Sequence, residues 1–262
     1  MVRSALFILL FIATHATLAL LYPFSLARLA LVAVLYALGT GIMLFLLFNP
    51  RNQWLVNNRS QVEQASCIAL TFDDGPDPVF TPRLLDLLRE KQVKVTFFVV
   101  GERALLYPEI VRRAWEEGHL IGNHTWSHRN LFCFLTPGHL RSEIERGSEA
   151  VWQCCGVRSR YFRSPVGLRH PLLRQALKRA GLEFISWRIR SWDTVIRNPQ
   201  KLSRRILGRV RGGEIILLHD RLPRGASPLL EILPGLIDKL RERGFSFVLV
   251  GSREAEGSLT KP

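Results

Sequence analysis

The sequence predicts an α/β fold: a small, distorted seven-stranded (β/α) barrel preceded by one or two transmembrane helices. Three observations lead there. The chain of 262 residues opens on two long apolar stretches free of internal charge. Short apolar strands and amphipathic helices then alternate from Cys67 to Val250, the pattern of parallel strands joined by helical crossovers. Seven candidate strands suit a small, irregular barrel better than an eight-fold one.

In chain order, residues 1–50 read as a transmembrane hairpin. Ala5 to Tyr22 and Leu29 to Phe48 are each about long enough to cross a bilayer as a helix, and Tyr22-Pro23-Phe24-Ser25 breaks them apart. A cleaved signal peptide is the rival, but the first stretch has no clear small-x-small site and a second apolar stretch follows. Arg3, with Arg51 and Arg59, outnumbers the lone Arg28 of the turn. Positive-inside counting therefore puts both ends of the hairpin, and the barrel, on the cytoplasmic side of a bacterial-type inner (plasma) membrane. Polar residues 51–66 read as a linker, residues 67–251 as the barrel and 252–262 as a flexible tail. Candidate strands are 67–72, 94–100, 119–122, 160–163, 183–188, 214–219 and 246–250. Candidate helices are 81–91, 106–117, 137–153, 171–180, 199–210 and 228–243. Thr81-Pro82 and Tyr107-Pro108 supply helix starts, and Gly118, Gly181 and Gly244 stand where helices stop.

At 47% hydrophobic and 22% charged residues the composition is globular. The net charge of +14 lies almost wholly beyond residue 50, since only Arg3 and Arg28 precede it. Arginines cluster at 158–160, 188–190 and 204–211. Any one cluster reads as solvated surface; together they suit an anionic membrane surface or a phosphate-bearing substrate. No nucleic-acid-binding motif accompanies them, so nucleic acid is not an expected partner. The four cysteines have no CxxC spacing, and Cys154 and Cys155 are neighbours, so free thiols are the simpler reading.

Residues suited to chemistry gather at the C-terminal ends of the strands, the face on which such barrels build their sites. The first strand runs into Asp73-Asp74-Gly75-Pro76. A surface turn is the bland reading of that tetrapeptide. The other is a pair of carboxylates which, pointing opposite ways along a strand, divide the roles of metal ligand and proton acceptor. His124 and His128 follow the third strand; on a helical turn that spacing puts both imidazoles on one face, and with a carboxylate such as Asp74 they offer two nitrogens and one oxygen to a divalent ion. His119 reads as structural. Arg163-Ser164-Pro165-Val166-Gly167 follows the fourth strand, Asp193 the fifth, and Leu217-Leu218-His219-Asp220 ends the sixth.

Thr71-Phe72-Asp73-Asp74-Gly75, the His124/His128 pair, Arg163-x-Pro165-x-Gly167, Asp193 and Leu217-x-His219 resemble, in motif order over residues 66–250, the polysaccharide deacetylases of carbohydrate esterase family four (the NodB-homology domain). The resemblance implies metal-dependent hydrolysis of an N-acetyl group from an amino sugar. It implies that Asp74, His124 and His128 hold a divalent metal, commonly zinc, with cobalt, manganese or nickel also serving. Asp73 would be the general base that activates water, and Arg163 would keep it ionised and oriented, because a neighbouring cation favours the charged carboxylate. The N–H of Val166 would stabilise the oxyanion, His219 would protonate the leaving amine, Asp193 would support His219 or Arg163, and Leu217 would line the acetyl pocket.

Two positions depart from the family: Val166, where an aromatic residue is frequent, and Thr194, where a tryptophan is. Both changes remove aromatic groove surface and no reacting atom. With the hairpin and the basic surface they point to a glycan or lipid-linked sugar acceptor at a membrane, in contact with membrane lipids. O-deacetylation of an ester is the alternative chemistry, and a silent membrane-anchored glycan-binding barrel the alternative class. A binding module has no use for both a base and an acid, which Asp73 and His219 would supply.

Overall fold

The computed structural model describes residues 26–49, 53–221 and 228–252, together with Ala13 and Thr17. The rest of the first apolar stretch, the expected hairpin turn up to Ser25 and the tail from residue 253 lie outside the described residues. Helix α1 (Leu26–Phe48) has 23 residues, and its Leu29–Phe48 portion is long and apolar enough to cross a membrane. At ~1.5 Å per residue it matches the ~30 Å hydrocarbon thickness of a bilayer. Leu26, Tyr36, Leu38 and Phe45 are exposed along it.

Beyond it come β1 (Asn58–Arg59), β2 (Cys67–Asp73), α2 (Phe80–Glu90), β3 (Thr96–Val99), α3 (Gly101–Leu106), α4 (Pro108–Glu116) and β4 (Leu120–Asn123). They are followed by α5 (Pro137–Cys155), β5 (Tyr161–Phe162), α6 (Leu173–Ala180), β6 (Glu183–Ile185) and β7 (Ile189–Arg190). The chain closes with α7 (Pro199–Leu207), β8 (Ile215–His219), α8 (Leu229–Glu242) and β9 (Ser246–Phe247). The hydrogen-bonded order is β1-β6-β5-β4-β3-β2-β8-β7, with β9 beside β2, and every strand pair is parallel. β6 and β7 lie near opposite ends of this order, yet only Ser186-Trp187-Arg188 separates them. The four Cα–Cα steps from Ile185 to Ile189 span no more than ~14 Å, so the sheet curls until its ends nearly meet. Ser186 N–H bonds to Arg59 O on one edge and Arg188 N–H to Ile215 O on the other.

Strand periodicity sorts the side chains. In β2, Ile68, Leu70 and Phe72 join the layer under the helices, while Cys67 and Ala69 face the barrel interior. In β8, Ile216 and Leu218 go outward and Ile215 and Leu217 inward. The same alternation turns Asp73 and His219 inward, and the β2/β8 register sets them side by side.

The expected linker is not free of structure. Asn58–Arg59 pairs with β6, and Gln61 bridges Glu214; polar residues hide this because an edge strand needs only its backbone to pair. The expected strand 183–188 is broken by the Ser186–Arg188 crossing. All four cysteines are free.

Two packing details generate tests. Buried His119 accepts the Val95 N–H at Nδ1 and stands edge-on to Phe97. Burial, with Lys94 and Arg113 adding, pushes it from 6.5 down to about 3. Between those values the unfolded chain takes up a proton that the folded chain refuses, so stability is lost as pH falls through this window, by at most ~1.4 kcal/mol per pH unit. His119→Asn, which keeps an acceptor for Val95, is expected to flatten thermal melting against pH between about 6 and 4; an unchanged slope would contradict the assignment. Gly147 of α5 lies so close to the Asn123 amide and the Thr125 backbone that a Cβ would overlap them, whereas a Cβ on Gly235 of α8 meets nothing within 4 Å. Gly147→Ala is therefore expected to destabilise by about 1–3 kcal/mol, and Gly235→Ala to stabilise by up to ~1 kcal/mol, both read from urea unfolding.

Candidate active site

β2 ends at Asp73, and Asp74 adopts a left-handed backbone with φ 76°. Strand alternation would send the two carboxylates to opposite sides; the turn at Asp74 instead brings both into one cleft. Gly75 has no room for a side chain because the Asp220 carboxylate occupies the space a Cβ would fill. Asp74 Oδ1 lies 3.3 Å from His124 Nε2 and 3.1 Å from His128 Nε2.

The two histidines are not on a helix, contrary to the reading of their spacing. His124 extends the ladder of β4, its N–H bonded to Val99 O. His128 sits in the following loop, where Thr125 and His128 both have positive φ, 69° and 51°. The Asn123 side chain accepts the Thr125 N–H and donates to Ile144 O and Ser148 Oγ of α5. Buried Glu143, also from α5, accepts both the N–H and the hydroxyl of Ser127. The His128 N–H bonds to Thr125 Oγ1. Helix α5 thus sets the loop geometry that a helical turn had been expected to provide.

Asp74, His124 and His128 offer three ligand atoms within 4.8 Å of one another. Tetrahedral ligands ~2.1 Å from a metal stand ~3.4 Å apart, close to the 3.3 Å and 3.1 Å separations of Asp74 from the two imidazoles. His124 Nδ1 is 2.8 Å from Arg163 O. A carbonyl only accepts, so Nδ1 carries the proton and Nε2 keeps its lone pair for a ligand. The residues present fit a divalent metal. Burial would raise Asp74, but hydrogen bonds and charge from the two imidazoles outweigh it and hold the carboxyl far below its ordinary range. Burial likewise opposes a charge on His124, and Asp73 and Asp74 reverse that, raising it.

Arg163 follows β5 inside the barrel and is fully buried. Its Nη1 donates to Asp73 Oδ1 at 2.6 Å and to Thr71 Oγ1, its Nη2 to Ser186 O and its Nε to Ile185 O. The guanidinium stacks 4.1 Å from the Phe98 ring centre. Asp73 Oδ2 is left facing the histidine side of the cleft, 3.8 Å from His124 Nε2.

His219 Nδ1 is 2.8 Å from Asp193 Oδ1, and the His219 N–H donates to Asp193 Oδ2. Ser191 Oγ also donates to Asp193. Of the two partners expected for Asp193, the contact made is with His219. Burial lowers His219, but the Asp193 hydrogen bond and charge, with Asp74 and Asp73 beyond, carry it up to about 9. Asp220 is also raised, but here burial is the cause: it lifts the carboxyl to about 7 against the Thr81 hydroxyl bond, and the charges of Asp74 and Asp73 add to the rise.

Asp73, Asp74, His124, His128 and His219 share a cleft of about 550 Å³, lined also by Val166, Leu217, Trp187 and Arg190. Val166 is half-exposed with φ 56°, and the bonds of its turn are made by the N–H groups of Gly167 and Leu168. Sequence reasoning gave no role to Asn123, Trp187, Glu143 or Ser191; Asn123 adjoins His124 and Trp187 lies on the expected fifth strand that leads to Asp193, while Glu143 carried no signal.

The polysaccharide deacetylase family model matches residues 60–185, a span that holds Asp73, Asp74, both loop histidines and Arg163. The chain is 35% identical over 188 residues to a peptidoglycan-N-acetylglucosamine deacetylase of Bacillus cereus, covering 71% of this chain and 67% of that protein. It is 32% identical over 199 residues to a chitooligosaccharide deacetylase of Bradyrhizobium sp., covering 72% and 90%. The crystal structure of the Bc1960 peptidoglycan N-acetylglucosamine deacetylase superposes with a TM-score of 0.68 at 32% identity, covering 74% of this chain and 90% of that one. With this sequence and this fold, the chain belongs to the polysaccharide deacetylase family.

Proposed function

We propose that this protein is a membrane-anchored, metal-dependent hydrolase that removes the N-acetyl group from an amino sugar of a glycan or lipid-linked glycan. The observation that carries the reading is the convergence of three pairings on one cleft: Asp74 with two histidines, Asp73 with Arg163, and His219 with Asp193. The names of the relatives, deacetylases of peptidoglycan and chitooligosaccharide, support the reaction.

Asp74, His124 and His128 would hold the ion, and their two nitrogens and one oxygen suit zinc, with cobalt, manganese or nickel as other occupants. A divalent ion there supplies Lewis-acid polarisation of the acyl carbonyl and a more acidic water. Asp73 accepts the proton of the attacking water through Oδ2, because Arg163 engages Oδ1. The Val166 N–H donates to the oxyanion. Leu217, buried on the inner face of β8, bounds the space for the acetyl methyl. His219 delivers a proton from Nε2 to the leaving nitrogen while Asp193 holds Nδ1. Water oxygen bonds to the acyl carbon, the C–N bond breaks, and acetate and a free amine leave. Helix α1 serves as the membrane anchor, and the positive-inside count favours a cytoplasmic barrel. At that face the acceptor is a membrane-bound sugar.

Acetate release from N-acetylated acceptors is expected to vanish with a chelator and return on metal add-back. Asp74→Ala and His128→Ala should lose bound metal and turnover together. Asp73→Asn and His219→Ala should keep the metal, measured by elemental analysis, while turnover falls about 10²- to 10⁴-fold. Loss of metal from Asp73→Asn would reverse the ligand and base roles.

A further inference from the structure

A second cavity, of about 600 Å³, adjoins the catalytic cleft and shares Val166, Trp187 and Arg190 with it. Its wall is formed by Arg188, Arg190, Arg205, Arg209 and Arg211. The one carboxylate in its lining, Glu214, is buried and spent on the backbone N–H groups of Arg211 and Gly212. Among the described residues, the arginine ion pairs involve none of these five guanidiniums. Burial and the charge of Arg209 together push Arg205 below its ordinary value, and Arg205 Nε is buried without a hydrogen-bond partner among the described residues. Arg190 and Arg205 stand 4.7 Å and 5.7 Å from the ring centre of Trp192. Trp192 has a φ of 66°, costly for a bulky residue. That backbone lets neighbours serve two places: Trp192 lines the arginine cavity while Asp193 holds His219.

The cavity also meets the membrane helix. Phe48, the last residue of α1, lines it. The end of α1 is fastened to the barrel: Arg169 N–H bonds to Leu47 O, its guanidinium donates to Asn49 O, and Leu47 packs with Leu55, Cys133 and Leu168. An uncompensated guanidinium cluster at the end of a membrane span, open to a hydrolytic cleft, suits an anion at the depth of lipid phosphates.

We propose that this cavity binds a phosphate group of the substrate itself. The acceptor is an N-acetylated amino sugar joined through a phosphate or diphosphate ester to a lipid. Its sugar occupies the metal cleft, its phosphate the arginine wall, and its hydrocarbon the bilayer beside α1. This assignment rests on the deacetylase reading above and adds the substrate class.

The test uses the full chain, metal-loaded, in lipid nanodiscs. Acetate release is compared for N-acetylglucosaminyl diphosphoryl polyprenol and for an N-acetylglucosamine alkyl glycoside without phosphate. The proteins are wild type, Arg209→Ala, the exposed and safest change, and Arg205→Ala/Arg209→Ala, with Arg209→Lys as the charge-keeping control. The proposal expects the double variant to lose about tenfold or more in kcat/KM on the diphosphoryl substrate, through KM. On the alkyl glycoside it should change by less than about twofold, and Arg209→Lys should recover part of the loss. Equal losses on both substrates, or none on either, would overturn the proposal. So would a loss of binding to phosphatidylglycerol vesicles with no change in substrate preference, which would make the cavity a lipid-headgroup dock. If wild type releases acetate from no acceptor, the deacetylase reading fails and calorimetry with inorganic phosphate decides the site: binding that the double variant loses upholds it, and no binding to wild type refutes it.

Discussion

A single buried guanidinium holds the floor of the cleft together. Arg163 has no exposed surface, and an isolated charge in that position would be prohibitively costly. It is tolerated because Asp73, Thr71 and the carbonyls of Ile185 and Ser186 take up its donors while Phe98 covers one face. Those partners come from β2, β3, β6 and the crossing to β7, so one side chain ties together the arc of sheet that forms the barrel wall. The backbone carbonyl of the same residue fixes the tautomer of His124. The proposed base and a proposed metal ligand are thus oriented by two ends of one amino acid. Taking away one partner of such a pair leaves the other charge buried, a loss of about 3–5 kcal/mol.

Much of this was legible in the sequence, and the reason is geometric. A parallel strand buried on both sides reads as an apolar run, and a chemical residue at its C-terminal end stands out against that run. Asp73, His219 and His124 all stand at or just beyond such ends, on the inward phase of their strands. The helices were legible from their Pro starts and Gly stops; helix α3, six residues from Gly101 to Leu106, was not, being too short to show a period.

What escaped the sequence depends on contacts between distant segments. Strand β1 arises from two polar residues whose backbone finds an open edge on β6. The orientation of Asp74 follows from one left-handed residue, and the His124–His128 loop takes its shape from Asn123, Thr125 and Glu143 rather than from helical spacing. The arginine clusters were visible as separate runs. The pooling of the 188–190 and 204–211 runs around one cavity appears only when the turn before β8 and helix α7 are folded against β7.

With α1 as the proposed anchor, its fastening by Arg169 and Leu47 has a consequence for reach. An anchor joined by a slack tether lets a catalytic domain roam through a shell of heights above its surface. An anchor whose last turn is bonded into the barrel removes that freedom and sets the cleft at one altitude, like the blade of a plane. Targets are then sorted by how far their acyl group stands from the bilayer as well as by their chemistry. Encounters become a search within a sheet rather than through a volume.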